Sequence, residues 1–283
     1  MNHRHSRKQS NFTALLFVLA LTLLACTLSG TAATPTLTPV SVPTEILPTI
    51  EAAPATQIPV STPTTQPSTG GHVVINGNDP CGLLTKEQVE ASFGKSVTEI
   101  KTEQTNLGSK CQYVFSEDNN LQVTFYEGGN AANYFAVLIT AAGQSCDEFF
   151  EAMFDVAFAP LTEKYPSADQ SLLSLPLGDL YRQYIVMLGN CMYIHNQDRT
   201  DIGDNVVATE TIFMNWTSNV AVLDTARVVE FTYQEIIPDD TLHILSAGTD
   251  KESFYALADP YRQQVLSGYT ETLIGLLKQA IGQ

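Results

Sequence analysis

The sequence predicts an α+β fold, a mainly antiparallel sheet packed with helices, in one domain stapled by two disulfides. Three observations carry this. Capped helical stretches and alternating strand-like stretches come in blocks of helix, strands, helix, strands and helix, without the βαβ rhythm of a parallel sheet. The patterned region, residues 72–283, holds all 11 tyrosines and is long enough for a single hydrophobic core. Four cysteines fall inside it, Cys81, Cys111, Cys146 and Cys191, an even number in a chain that opens like an exported one.

The opening is an address. Arg4, Arg7 and Lys8 precede an apolar run from Phe12 to Ala25 that is interrupted only by Thr13 and Thr22. A basic head on a short apolar run is the layout of a secretory signal. A spanning helix needs about 20 apolar residues. The run ends in Leu23-Leu24-Ala25-Cys26, which resembles the lipobox of bacterial lipoproteins. That resemblance implies removal of residues 1–25, acylation of Cys26 and anchoring of the chain to a membrane by its lipid. Leu24 departs from the smaller residue usual at that place. Several acyl chains at one end give stable attachment where one would be marginal.

Residues 26–71 read as an extracellular tether. Between 31 and 71 there are 11 Thr, 8 Pro and 3 Ser, and the only charges are Glu45 and Glu51. Proline fixes φ and removes donors, so neither helix nor sheet propagates there. Ser/Thr-rich sequence with proline suits a solvated stalk, bare or O-glycosylated. Extended as polyproline II, it would reach about 130 Å.

In the domain, Thr85 and Gln88 form a capping box, Leu84 and Val89 a staple across it, and Gly94 the stop of a first helix. Cys111, Tyr113 and Phe115 alternate with Gln112 and Val114. Leu121, Val123 and Phe125 alternate with Gln122, Thr124 and Tyr126. Residues 117–120 read as the hairpin loop between them. Asn130 is expected to cap a helix to about Ala142. After Gly143, Ser145 and Glu148 signal another, with Cys146, Phe149, Phe150, Met153, Phe154 and Ala157 on one face. From Leu180 to Ile237 the chain reads mostly as strand. Tyr184–Leu188 and Cys191–His195 form a hairpin across Gly189-Asn190, followed by strands Val206–Trp216 and Arg227–Ile236. At the end, Thr249 and Glu252 make a capping box. Asp259-Pro260 reads as an N-cap with proline at the first helical position. Val265, Tyr269, Leu273, Leu276, Leu277 and Ala280 form the last buried stripe.

With Cys26 acylated, four cysteines allow three pairings, and the sequence leaves them open. Cys81–Cys111 with Cys146–Cys191 is favoured, because it ties the first helix to a strand and a helix face to a hairpin. Metal binding is the rival, but there is no Cys-x-x-Cys pair. The stretch Asp79-Pro80-Cys81-Gly82-Leu83-Leu84-Thr85, its helix to Gly94 and then Cys111-Gln112-Tyr113 is similar to a family of bacterial surface lipoproteins. They share a domain of unknown function common in actinobacteria. Leu177-Gly178-Asp179 resembles that family's weaker second signature. The resemblance covers 79–126 well, 176–195 loosely and 200–283 poorly. It implies the Cys81–Cys111 pairing, and no catalytic residue comes with it.

Composition narrows the function. The 283 residues carry 30 acids against 14 bases, net −16, with a pI near 4.5. Removing the signal leaves 11 bases and a net charge of −19. A chain this acidic lacks the basic footprint of a nucleic-acid binder. There is no His-Glu-x-x-His, Gly-x-Ser-x-Gly or phosphate-cradling glycine motif. Asp198, Asp201 and Asp204, with Asn205 and Gly203, put oxygen ligands on one loop and are the candidate Ca²⁺ site. His195 and His243 are candidates for a metal site with a carboxylate. Tyr181, Tyr184, Tyr193 and Trp216 are candidates for an aromatic face toward a glycan or a partner. The reading that results is a lipid-anchored surface module that binds an extracellular ligand or an envelope protein without catalysis. The alternatives are an extracellular hydrolase lacking a recognisable motif and a structural envelope protein.

Overall fold

The structure, a computed structural model, describes residues 71–158, 170–213 and 215–282. The signal segment, Cys26 and the tether up to residue 70 lie outside them, as do the side chains of Phe154 and Ala157. Among the described residues no helix is long and apolar enough to cross a membrane.

The domain is α+β. Seven antiparallel strands form one sheet in the order β1-β2-β3-β7-β6-β5-β4. They are β1 (Glu99–Thr105), β2 (Gly108–Ser116), β3 (Asn119–Glu127), β4 (Tyr193–Asp198), β5 (Val206–Ile212), β6 (Asn215–Leu223) and β7 (Arg227–Ile236). The central β3–β7 pairing joins the two halves of the chain, so the strands after residue 200 belong to the same sheet as β1, β2 and β3. Both disulfides form in the favoured pairing, Cys81–Cys111 and Cys146–Cys191, with Cα atoms 5.0 and 5.1 Å apart.

Strand alternation splits the sheet into two faces. On the first, Tyr113, Leu121, Val123, Phe125, Phe231 and Tyr233 are buried against α1 (Lys86–Phe93) and the C-terminal helix. The Thr85–Gln88 capping box is present, and Gly94 (φ +62°) closes α1 in the left-handed region. On the second face, α2 (Gly128–Ala142) and α4 (Leu177–Leu188) cover only an apolar end built from Val207, Ala221, Leu223 and Val228, and α3 (Cys146–Phe158) packs on those two helices. The Glu148 amide donates to Ser145 Oγ at the start of α3, and Phe149 on its inner face is buried.

Four expectations need correction. Residues 177–188 form α4, not a strand. Tyr184, Ile185 and Val186 favour strands as residue types, but Leu177, Leu180, Tyr181, Ile185 and Leu188 repeat with the helical period and bury one stripe. The run Val206–Trp216 breaks after Ile212, and Ile212 pairs back onto Trp216 across a tight turn. The box at Thr249 sits one residue later, where Asp250 accepts from the Ser253 amide at 2.8 Å and caps α6 (Lys251–Tyr261). Its carboxylate is the stronger acceptor. Asp259 caps nothing: Tyr193 and Arg262 hold its carboxylate, and Pro260 lies inside α6. A π-helical stretch, Arg262–Leu266, follows the proline before α7 (Ser267–Ala280), as expected where an N–H is missing from the ladder. A short α5 (Asp239–Leu245) precedes α6.

Three smaller differences concern element bounds. β1 carries no alternation signal, because both of its faces are exposed. Asn119 and Asn120 belong to β3 and not to the hairpin loop. α2 begins two residues before Asn130.

The segment entering the domain is strapped down. Val73 and Ile75 are buried. Asn205 Oδ1 accepts from the Val73 amide at 2.9 Å, and its Nδ2 donates to the Val73 carbonyl at 3.0 Å. The Arg227 guanidinium donates to the carbonyls of Ile75 and Gly77.

Candidate functional site

The second face of the sheet is polar beyond its covered end. Strand register lines up Lys101, Gln112, Gln122, Thr232, Asn219, Thr209 and Asn196, one residue from each of the seven strands, with no apolar side chain among them. The next row carries Asn120, Gln234, Thr217 and Thr211 at its centre. A solvated face of an antiparallel sheet is ordinary. Asparagine in the middle of a central strand is not, because it fits the pleated surface poorly. Thr209 and Thr232 keep only 2% and 9% of their surface exposed. Gln122 donates to Asn120, and Thr209 donates to Asn196 Oδ1 at 3.0 Å. Asn219 Oδ1 is buried without a hydrogen-bond partner.

Glu230 lies beside this row, on β7 between Thr124 and Ala221. Tyr126 donates to its Oε2 at 3.0 Å, and Tyr181 donates to Oε1. Tyr181 reaches it from α4 because that helix packs its apolar stripe over the sheet end. Phe135 of α2 sits at the hub, with the rings of Tyr126, Tyr134, Tyr181 and Tyr184 within 5.1 to 5.3 Å of its centre. Burial pushes the Glu230 carboxyl above the ordinary carboxylate range, while the Tyr181, Tyr126 and Thr232 side chains pull the other way. Burial also pushes up the hydroxyls of Tyr126, Tyr181 and Tyr184, and that of Tyr134 to about 12. Every donor held by Glu230 is a neutral hydroxyl. The result is a patch of amides, hydroxyls and one carboxyl raised by its burial, bordered by aromatic rings.

Two other hollows flank the sheet. A cleft of about 460 Å³ is lined by Met192, Ile212, Phe213, Phe254 and Tyr255, with Lys251 at its edge. Lys251 Nζ already donates to the Gly189 carbonyl at 2.7 Å. A more polar hollow of about 390 Å³ is lined by His72, Asp179, Arg182, Asp204 and Asp224. The sheet face is the stronger candidate because it alone combines a buried acceptor without a partner and a perturbed carboxyl.

The candidate Ca²⁺ residues do not converge. Asp198 pairs with Arg182, Asp201 with Arg199, and Asp204 with His72. Arg199 is shared with Glu271 at 2.8 Å. His195 lies exposed on edge strand β4 and His243 exposed on α5. Among the described residues no group of three or more metal-ligating side chains gathers. The four candidate aromatics divide between the faces. Tyr181 and Tyr184 border the polar patch, whereas Tyr193 and Trp216 are buried in the core on the opposite face. Sequence reasoning missed Glu230, Tyr126, Tyr134 and the amide row. The signal was the even-numbered half of β3 and β7 (Asn120, Gln122, Thr124; Glu230, Thr232, Gln234), which reads as simple solvent exposure until the registers align it.

No family model, curated protein or solved structure matches this chain.

Proposed function

We propose that the chain is a lipid-anchored surface module that binds a neutral, hydroxyl-rich ligand, a glycan, on the polar face of its sheet, without catalysis. The observation that carries this is the row of amides and hydroxyls from Gln112 to Asn196. Each such group both donates and accepts, as sugar hydroxyls do. Strands lie about 4.8 Å apart, close to the length of one sugar in a linear glycan, so the more open members of the row, Gln112, Gln122, Asn219 and Asn196, would meet the sugars while the buried Thr209 and Thr232 back them. With 30 acids against 14 bases the chain's net charge disfavours an anionic ligand. The lipobox-like end at Cys26, the Thr/Pro-rich stretch and the Asp79–Thr85 motif support placing the module among surface lipoproteins, held away from a membrane.

The raised carboxyl of Glu230 would suit a general acid. Glycoside hydrolysis needs a second carboxyl across the bond. Both oxygens of the Glu230 carboxyl are already held by tyrosine hydroxyls, which favours binding over hydrolysis.

The test is thermal unfolding of the full chain against a panel of neutral oligosaccharides. At about 100 times its Kd a bound sugar adds about 2.7 kcal/mol, a rise of several degrees. The rise should vanish in Gln122→Ala and Asn219→Val. No rise with any neutral oligosaccharide, or a rise that both variants retain, would refute the site. Loss of membrane attachment in Cys26→Ser tests the anchor separately.

A further inference from the structure

We infer that β1 is a dimerisation edge at which a second copy of this chain pairs antiparallel, merging two sheets into one of fourteen strands. β1 is an end strand of the sheet, seven residues long and exposed along its whole length. Such an edge presents unpaired amides and carbonyls to any strand that matches it.

The hairpin fixes which residues point outward. Thr105 pairs with Gly108 across a two-residue turn. These two therefore exchange both hydrogen bonds, and the odd-numbered residues of β1 bond to β2. Ile100, Thr102 and Gln104 direct their amides and carbonyls to the free edge. A two-fold axis through Thr102 matches all three, Thr102 with the partner's Thr102 and Ile100 with the partner's Gln104 in both directions. Between them, Lys101 falls opposite the partner's Glu103 and Glu103 opposite the partner's Lys101. Opposite charges directly across a strand pair are favourable and like charges are not.

The charges also select this register. The two adjacent permitted registers put Lys101 on the partner's Lys101 with Glu99 on the partner's Glu103, or Glu103 on the partner's Glu103. The central register has the longest overlap and no like-charged pair. In the single chain these side chains have only surface partners, Lys101 with Glu99 at 2.9 Å and Glu103 with Lys110 at 2.8 Å. The arrangement is isologous and closes as a dimer. Its axis runs perpendicular to the sheet, so both polar faces turn the same way.

The experiment is sedimentation equilibrium of the full chain in density-matched detergent. The wild type is expected to shift from monomer to dimer with concentration. Glu103→Lys, which sets Lys101 against a lysine, is expected to abolish the shift. Lys101→Glu with Glu103→Lys restores opposite pairing and is expected to recover it. Thr102→Pro is expected to abolish dimerisation with an unchanged unfolding midpoint, because the Thr102 amide is not used by β2. A wild type that stays monomeric to about 1 mM, the weak end of measurable affinity, would overturn the proposal. So would a dimer indifferent to both Glu103→Lys and Thr102→Pro, since it would then use another surface.

Discussion

The two faces of the sheet are made by the same strands and differ in every other residue. Phe231 and Tyr233 turn into the main core, while their neighbours Glu230, Thr232 and Gln234 turn to the polar side. On the first face the side chains fill space, and shape governs stability. On the second they keep hydrogen-bonding capacity that the fold does not use, as Asn219 Oδ1 shows in mid-strand, whereas Asn119 Oδ1, also without a partner, sits at the end of its strand on the first face. One strand can thus serve packing and recognition independently, because successive side chains never share a face.

That division can be broken from either side. The largest effect is expected on the packed face. Phe231 is fully buried, and Phe231→Ala should cost about 3–5 kcal/mol, read as a lower urea midpoint with oligosaccharide response otherwise intact. Replacing both Cys81 and Cys111 with alanine opens a 30-residue separation on the same face. The chain-entropy model assigns that loop about 3.5–4 kcal/mol, and the midpoint should fall accordingly. On the polar face the sign reverses. Asn219→Val removes a buried acceptor without a partner and places a good strand former in a central strand. It should stabilise by about 1 kcal/mol while abolishing sugar binding. A loss of stability there would show that Asn219 is structural.

Two pH profiles sharpen the comparison further. Glu230 has its carboxyl raised by burial above the ordinary 4.5. Its contribution is full below that value and is lost as pH rises through the raised one. Glu230→Gln should therefore gain melting temperature relative to wild type across that window, and parallel curves would contradict the burial argument. His72 is raised above its ordinary 6.5, chiefly by the hydrogen bond its ring donates to Asp224, with Asp204 adding to it. The strap contact is strongest below 6.5 and weakens as pH climbs through the raised value. The protection factor of the Val73 amide, its exchange corrected for the intrinsic rise with pH, should fall over that range in wild type and not in Asp224→Asn.

Much of the fold was legible because it rests on local chemistry. Thr85 and Gln88 announce α1, and the alternation around Tyr113 and Phe125 announces β2 and β3. The disulfide pairing, one of three the sequence left open, is the one it favoured. α4 was misread because Tyr184, Ile185 and Val186 are strand formers by type, and only packing over the sheet end reveals that their spacing is helical. The site was illegible for a different reason. Gln122, Thr232, Asn219 and Thr209 are far apart in the chain, and register alone makes them neighbours. Tyr181 meets Glu230 across 49 residues, and no spacing rule reaches that far.

The strap at the domain's entrance also sets a mechanical order of events. A pull applied at Gly71 loads His72, the paired bonds of Asn205 to Val73 and the two carbonyls held by Arg227 before it loads any strand. These few bonds yield one after another, whereas the sheet resists as a cooperative ladder. The strap would peel first and release about 20 Å of slack, leaving the polar face unstretched beneath it. It would act as a shock absorber, placed where a load would enter the domain and away from where the ligand would sit.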